Sequence, residues 1–185
     1  MAIATAGVAG ILAAMLIGPS YAPAVFDWMR HTTSEQAGQN MPGAWIMRAG
    51  FVAYGLGTLT AIALTRTPRP VARAALAVFG AGLIGTALWS NLPVDPALQG
   101  DQFDNWLHSI ASGIVGTGFA AACAARLFLP GGTPRDALAW GGLVVAVLVP
   151  LAMGAVPEFR GLLQRLMFVY SFAFVLREVR QGGVG

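Results

Sequence analysis

Two residues with the chemistry for proton transfer, Asp95 and His108, flank a predicted turn between two apolar segments. An aspartate that hydrogen-bonds an imidazole orients the ring for acid–base work or for metal ligation. Because a turn joins the two segments, the Asp95 carboxylate is predicted to reach the His108 ring. We therefore assign Asp95 and His108 as the first candidates for catalytic residues, followed by Glu35 and His31.

Further polar and aromatic side chains collect at the same ends of the apolar segments. Arg48 and Arg165 lie about one helical turn inside these ends, where a guanidinium can bind an anionic head group or neutralise a carboxylate. The other candidates for substrate binding share this end and are polar or indole side chains: Ser34, Asn91, Ser112, Trp45, Trp89 and Trp106. Ionisable groups at membrane depth are costly and commonly functional, so these residues are predicted to line one pocket.

The elements that position these residues follow from the composition. Of the 185 residues, 56% are apolar and only 10% are charged, whereas soluble domains carry about 25% charged residues. Segments of about 20 apolar residues cross a bilayer as helices, and the chain has six of them: 4–25, 44–64, 74–92, 107–129, 137–156 and 162–179. The predicted fold class is all-α, a polytopic membrane protein that forms one bundle of six transmembrane helices over residues 1–185.

The basic residues predict the orientation of this bundle. Every one is an arginine, and they concentrate in the second connection, the fourth connection and the C-terminal tail: Arg66, Arg69, Arg73, Arg126, Arg135, Arg177 and Arg180. Cytoplasmic loops carry the excess of basic residues, so both termini are predicted to be cytoplasmic. No basic residue precedes Arg30, so the first segment is interpreted as a retained helix rather than a signal peptide. The lysine-free, arginine- and alanine-rich composition favours a bacterial inner membrane.

The composition also argues against several kinds of site. The arginines are spread over several loops rather than one patch, which argues against nucleic-acid binding. The chain has two histidines and one cysteine, Cys123, so neither a three-histidine zinc site nor a cysteine-based metal motif can form. We therefore predict no metal and no cofactor.

Three stretches of the chain resemble a known family in order and spacing. The stretch 30–35 (RHTTSE) precedes a helix that begins with Trp45; 91–96 (NLPVDP) precedes His108; and 161–166 reads GLLQRL. Together they are similar to the bacterial and archaeal membrane family called domain of unknown function 998. The resemblance implies a six-helix fold and assigns no activity.

Three interpretations of the polar pocket are open. In the first, the pocket belongs to a hydrolase-like or terpene-cyclase-like enzyme that acts on a lipid or isoprenoid. In the cyclase-like case, a carboxyl group with a raised pKa protonates an alkene or epoxide, and the indole faces stabilise the resulting cation. Alternatively, it binds a ligand for sensing or transport without altering it. Finally, the polar residues form a structural network, and the tryptophans an aromatic belt. Membrane lipid is the one predicted partner in all three, and the oligomeric state is open.

Overall fold

Seven α-helices make up most of the computed structural model, which describes residues 1–65 and 69–182. In chain order they are α1 (Ala2–Ile17), α2 (Thr33–Gln36), α3 (Ala44–Leu64), α4 (Pro70–Leu88), α5 (Gln102–Phe128), α6 (Ala137–Ala155) and α7 (Arg160–Gln181). Short 3-10 helices, Gly18–Tyr21 and Pro157–Phe159, follow α1 and precede α7. The described ranges contain no β-strand, and the predicted all-α fold class is confirmed.

Within the described residues, six helical segments are long and apolar enough to cross a membrane: α3, α4, α5, α6, α1 with the 3-10 helix that follows it, and α7 with the one that precedes it. Their apolar side chains face outward as well as inward. On α6, for example, Val147, Leu148 and Leu151 are each more than half exposed. A soluble protein would not present such a surface to water, so the chain is a multi-pass membrane protein.

Local chemistry accounts for the differences between these helices and the predicted spans. The α4 helix begins at Pro70 rather than at residue 74, because the fixed φ of proline suits the first turn. The α5 helix begins at Gln102 rather than at 107, because the Asp101 carboxylate accepts from Phe103 N and Asp104 N and caps the helix. The α-helical part of the first span ends at Ile17, ahead of Pro19.

The helices pack in chain order around a closed ring. The α1 helix packs on α3, then α3 on α4, α4 on α5, α5 on α6 and α6 on α7, and α7 returns to contact α1 and α3. Glycines bring the backbones close. A Cβ atom at Gly7 would lie 2.8 Å from the Ala53 carbonyl oxygen, and one at Gly55 would lie 2.6 Å from the Gly80 carbonyl oxygen. Such close packing replaces the hydrophobic drive that helices lack in lipid.

The alternating helix directions give the bundle two ends. The segments 18–43, 89–101 and 156–160 lie at one end, which we call the mouth end. The other, the arginine end, holds both ends of the described chain and the connections that follow α3 and α5. Of the arginines used to predict orientation, Arg66 lies outside the described residues. The cytoplasmic location of the arginine end stays a prediction.

A buried ionic network holds the arginine end together. Asp136 accepts hydrogen bonds from Arg126 of α5 at 2.8 Å and from Arg177 of α7 at 2.6 Å. The same carboxylate caps α6 by accepting from Ala139 N. Glu178 lies 3.5 Å from Arg126 in the same network. One aspartate therefore ties together three consecutive helices.

Candidate functional site

A cavity of about 260 Å³ lies among α3, α4, α5, α6 and α7, and its lining reaches the exposed residues Gly116 and Pro150. Its wall is mainly apolar and aromatic, formed by Phe51, Phe79, Leu83, Val115, Gly116, Phe119, Ala146, Pro150, Met153, Met167 and Phe168. The polar groups on the wall are Ser34, Thr86, Ser112, Gln164 and Ser171. We call this space the central cavity.

A second, polar pocket of about 350 Å³ lies at the mouth end, and we call it the mouth. It is lined by Thr32, Ser34, Glu35, Asn91, His108, Ser109, Ser112, Arg160 and Gln164. Ser34, Ser112 and Gln164 line the central cavity as well. The two spaces therefore meet at these three side chains. The polar lining of the mouth continues there into the mainly apolar lining of the central cavity.

The short helix α2 forms one wall of the mouth through a capping box. Glu35 Oε2 accepts from Thr32 N at 2.7 Å and from Thr32 Oγ1 at 3.0 Å, while Thr32 Oγ1 accepts from Glu35 N. Glu35 Oε1 accepts from Arg160 Nη2 at 2.6 Å. Both carboxylate oxygens of Glu35 are therefore occupied, Oε2 in capping α2 and Oε1 in holding it against the start of α7.

Gln164 joins the other side of α2 to α7. Its Oε1 accepts from Thr33 N at 2.7 Å and from Thr33 Oγ1 at 2.6 Å. A backbone N–H can only donate, so these contacts fix which end of the amide is the oxygen. The Nε2 group is left with two N–H donors that have no partner within the described part of the chain.

His108 is buried on the α5 wall of the mouth, with 4% of its surface exposed. Its Nδ1 lies 2.8 Å from the carbonyl oxygen of Trp89, the residue that follows α4. A carbonyl only accepts, so Nδ1 carries the hydrogen, and in a neutral ring Nε2 holds the lone pair.

Asp95 lies away from this histidine, and the predicted Asp95–His108 contact does not form among the described residues. Asp95 Oδ1 accepts from Ala97 N at 2.9 Å, and its carbonyl accepts from Leu98 N. The aspartate thus stabilises its own turn between α4 and α5. The backbone carbonyl of Trp89 takes the position expected for the carboxylate.

Arg165 and Arg48 also lie outside the lining of the mouth. Both terminal nitrogens of Arg165 donate to protein atoms: the carbonyls of Trp28, His31 and Gly161, and the amide oxygen of Gln36. The Arg165 guanidinium also lies over the Trp28 ring, 4.6 Å from its centroid. Arg48 donates to the carbonyls of Ala37 and Gly38 at 3.0 Å. Both arginines hold the 28–38 segment in place instead of pointing at a head group.

The remaining predicted site residues divide between the mouth and the outer surface. Ser34, Asn91 and Ser112 line the mouth, as predicted for a shared pocket. His31 lies outside it: its Nδ1 accepts from Asp27 N at 2.8 Å, and burial is the main cause that lowers the pKa of the ring. The tryptophans face outward, with Trp45 70%, Trp106 57% and Trp89 38% exposed, which is the placement of an aromatic belt.

Several residues of the site escaped the sequence-based prediction. Arg160, Gln164, Thr32 and Ser109 line the mouth, and the central cavity was not predicted. The one available indication was Gln164, an uncharged amide near the start of an apolar segment. The cavity wall is made of ordinary apolar residues, which carry no such indication.

Comparison with known proteins bears on the whole chain. The model of a family described as protein of unknown function (DUF998) matches residues 5–177. This match confirms the resemblance seen in the residue patterns. No curated protein and no solved structure matches the chain.

Proposed function

We propose that this protein, which belongs to the family described as protein of unknown function (DUF998), binds an amphiphile with a single hydrocarbon or isoprenoid chain. The hydrocarbon or isoprenoid chain of this ligand occupies the central cavity, and its polar head occupies the mouth. The observation that carries this proposal is that Ser34, Ser112 and Gln164 line both spaces. One molecule placed there meets polar groups at one end and apolar groups at the other.

The size of the central cavity favours a ligand with one hydrocarbon chain. Ligand pockets usually range from about 300 to 1,000 Å³, and the central cavity, at about 260 Å³, lies just below that range. Its aromatic and methionine side chains suit a flexible apolar chain. Each methylene taken from water into such a site contributes about 0.8 kcal/mol.

The mouth favours a head group with oxygen acceptors. The hydroxyls of Ser34 and Ser112 and the amide N–H groups of Gln164 have no partner among the described residues, and all lie where the two spaces meet. Glu35 and Arg160 neutralise each other in an ion pair. A carbonyl, ester or ether oxygen suits these free donors better than a cationic head.

Acid–base turnover of a lipid or isoprenoid is the catalytic form of this proposal. His108, with its fixed tautomer, supports it more than Glu35 does, because both oxygens of Glu35 are occupied. The indole groups of Trp45 and Trp106 face outward, which does not support an aromatic cage for a carbocation. Binding without turnover, for sensing or transport, uses the same two spaces.

Filling the cavity provides the test. Gly116 lines the central cavity, and a Cβ atom there would meet nothing within 4 Å, so Gly116→Leu puts a side chain into the space without displacing protein. We expect it to displace about two methylenes of a bound chain and weaken binding about tenfold. The measurement is crosslinking of a diazirine-bearing fatty alcohol to the purified protein in detergent, quantified against probe concentration.

Gly113→Leu is the matched control. Gly113 is exposed on the same helix, as Gly116 is, and a Cβ atom there also meets nothing within 4 Å, but Gly113 does not line the central cavity. Both variants change helix propensity equally. Equal binding by the two variants, or crosslinks mapped to the outer surface rather than to residues such as Met153 and Met167, would refute the proposal.

A further inference from the structure

We propose that Ser112 is a nucleophile activated by His108, and that the mouth cleaves an ester bond of a bound single-chain amphiphile. This inference rests on the proposed function, because the substrate is held by the central cavity. Ser112 and His108 both line the mouth from α5. They are four positions apart on one helix, which places their side chains on one face about one turn apart.

The hydroxyl of Ser112 makes no hydrogen bond to any residue that the structure describes, in contrast to the hydroxyls of Ser109 and Thr117 on the same helix. Ser109 donates to the Asn105 carbonyl at 3.0 Å, and Thr117 donates to the Gly113 carbonyl at 2.8 Å. Such bonds to the preceding turn are the ordinary state of serine and threonine in apolar helices. Within the described ranges, the Ser112 hydroxyl is hydrogen-bonded neither to His108 nor to any other residue, so in this proposal the hydroxyl turns towards the His108 ring when a substrate binds.

Two properties of His108 suit its ring to the role of a general base. Its Nδ1–H donates to the Trp89 carbonyl at 2.8 Å, which fixes the ring and directs the lone pair to Nε2. A nucleophile, a base and a third group that orients the base form the general pattern of activated serines. Here a backbone carbonyl supplies the third group.

Donors for a developing oxyanion lie beside Ser112. The Nε2 group of Gln164 and the hydroxyl of Ser34 line the same junction of mouth and central cavity. The Thr33 contacts hold the Gln164 amide in one orientation, and a donor that is already in place stabilises a transition state at no further cost in reorganisation. The bond to be cleaved therefore lies between a chain in the cavity and an alcohol at the mouth.

The reaction balances with water as the only co-reactant. Ser112 Oγ bonds to the acyl carbon as its proton moves to His108 Nε2, and the carbonyl oxygen becomes an oxyanion facing Gln164 and Ser34. Collapse of this intermediate breaks the ester C–O bond, and the alcohol leaves with the proton from Nε2. Water then attacks the acyl–Ser112 ester by the same steps, which releases a carboxylic acid and restores the serine.

The test uses a decyl fluorophosphonate, which phosphonylates activated serines with loss of fluoride. The intact protein in detergent is treated with this probe and analysed by mass spectrometry. We expect one adduct on Ser112, no adduct in Ser112→Ala, and an unchanged adduct in the control Thr117→Ala, whose hydroxyl is exposed and already bonded. His108→Gln should slow labelling about 100-fold, whereas Thr117→Ala should leave both the labelling and the crosslinking of the fatty alcohol probe as in the wild type.

The outcomes separate this inference from the proposed function. Crosslinking of the fatty alcohol without phosphonylation, or with labelling equal in wild type and Ser112→Ala, overturns the Ser112–His108 pair and leaves chain binding intact. Labelling that is unaffected by His108→Gln overturns the role of the histidine. Loss of both crosslinking and phosphonylation in the wild type overturns both proposals.

Discussion

Arg165 belongs to a helix that is long and apolar enough to cross a membrane, has 4% of its surface exposed, and donates to backbone carbonyls rather than to a carboxylate. Arg48 does the same with two carbonyls. Backbone carbonyls that are shielded from water need hydrogen-bond donors, and this holds for those of the connection between α1 and α3. These arginines supply the donors and thereby shape the rim beside the mouth.

Arg165→Gln is expected to destabilise the protein strongly. The change leaves several buried carbonyls without a donor, at a cost of about 1–3 kcal/mol for each unsatisfied group. We expect the Tm in detergent to fall by about 10 °C. Arg180→Gln is the control, because Arg180 is exposed near the end of the same helix. Equal Tm values for the two variants would show that the carbonyl contacts of Arg165 contribute little.

The predicted site residues differ in how well the sequence could place them. Ser34, Glu35, Asn91, His108 and Ser112 were predicted to share a pocket and do line the mouth. Their catalytic and binding roles stay predictions. Polar residues near the ends of apolar segments must gather at one end of a bundle, so their common location follows from the sequence alone. Their individual partners do not follow, because a backbone carbonyl can serve as a partner whatever its residue type.

At the scale of elements, Asp136 connects three helices at the arginine end. It caps α6 and binds the arginines Arg126 and Arg177. Burial alone raises the pKa of its carboxyl, but the hydrogen bonds from Arg177, Ala139 N and Arg126 outweigh that effect and lower the pKa to about 2. A carboxyl group whose pKa is lower in the folded than in the unfolded state stabilises the fold at pH values above its unfolded-state pKa. That stabilisation is lost as the pH falls through the folded-state pKa.

Asp136→Asn is expected to lower the free energy of unfolding by about 3 kcal/mol, because it leaves two arginines facing an uncharged group in a buried site. Asparagine caps helices as well as aspartate does, so the α6 cap survives. The wild type should lose stability between about pH 4 and pH 2, and the variant should lack that part of the pH dependence.

Asp101→Asn is the matched control, since Asp101 caps α5 and has no arginine on its carboxylate within the described segments. If both variants unfold at the same denaturant concentration and with the same pH profile, the ionic network does not hold the three helices.

At the scale of the whole molecule, α6 packs mainly on α5 and α7, its two neighbours in the ring, and most of its other side chains are exposed. The central cavity is lined by five helices of this ring, and the mouth lies at the end of the bundle opposite the arginine end. A ligand entering at the mouth therefore approaches from the side opposite to the arginine network.

The orientation of the molecule can be measured with introduced thiols. Thr133→Cys places an exposed thiol in the connection after α5 at the arginine end, and Gln99→Cys places one at the mouth end. The native Cys123 is buried and gives little background. We expect an impermeant maleimide to label Gln99→Cys on intact cells and Thr133→Cys only after permeabilisation, because arginine-rich loops stay in the cytoplasm. The reverse pattern would contradict the predicted cytoplasmic termini.

The sequence by itself determined the membrane character, the six long apolar helices, the family and the end of the bundle at which the polar residues gather. These features depend on hydropathy and charge along the chain, which are local properties. Only the tertiary structure decided that Trp89 rather than Asp95 holds His108, and that Ser34, Ser112 and Gln164 join the mouth to the cavity. Such contacts depend on how helices distant in sequence pack, and the backbone carbonyls and voids that result have no residue type to mark them.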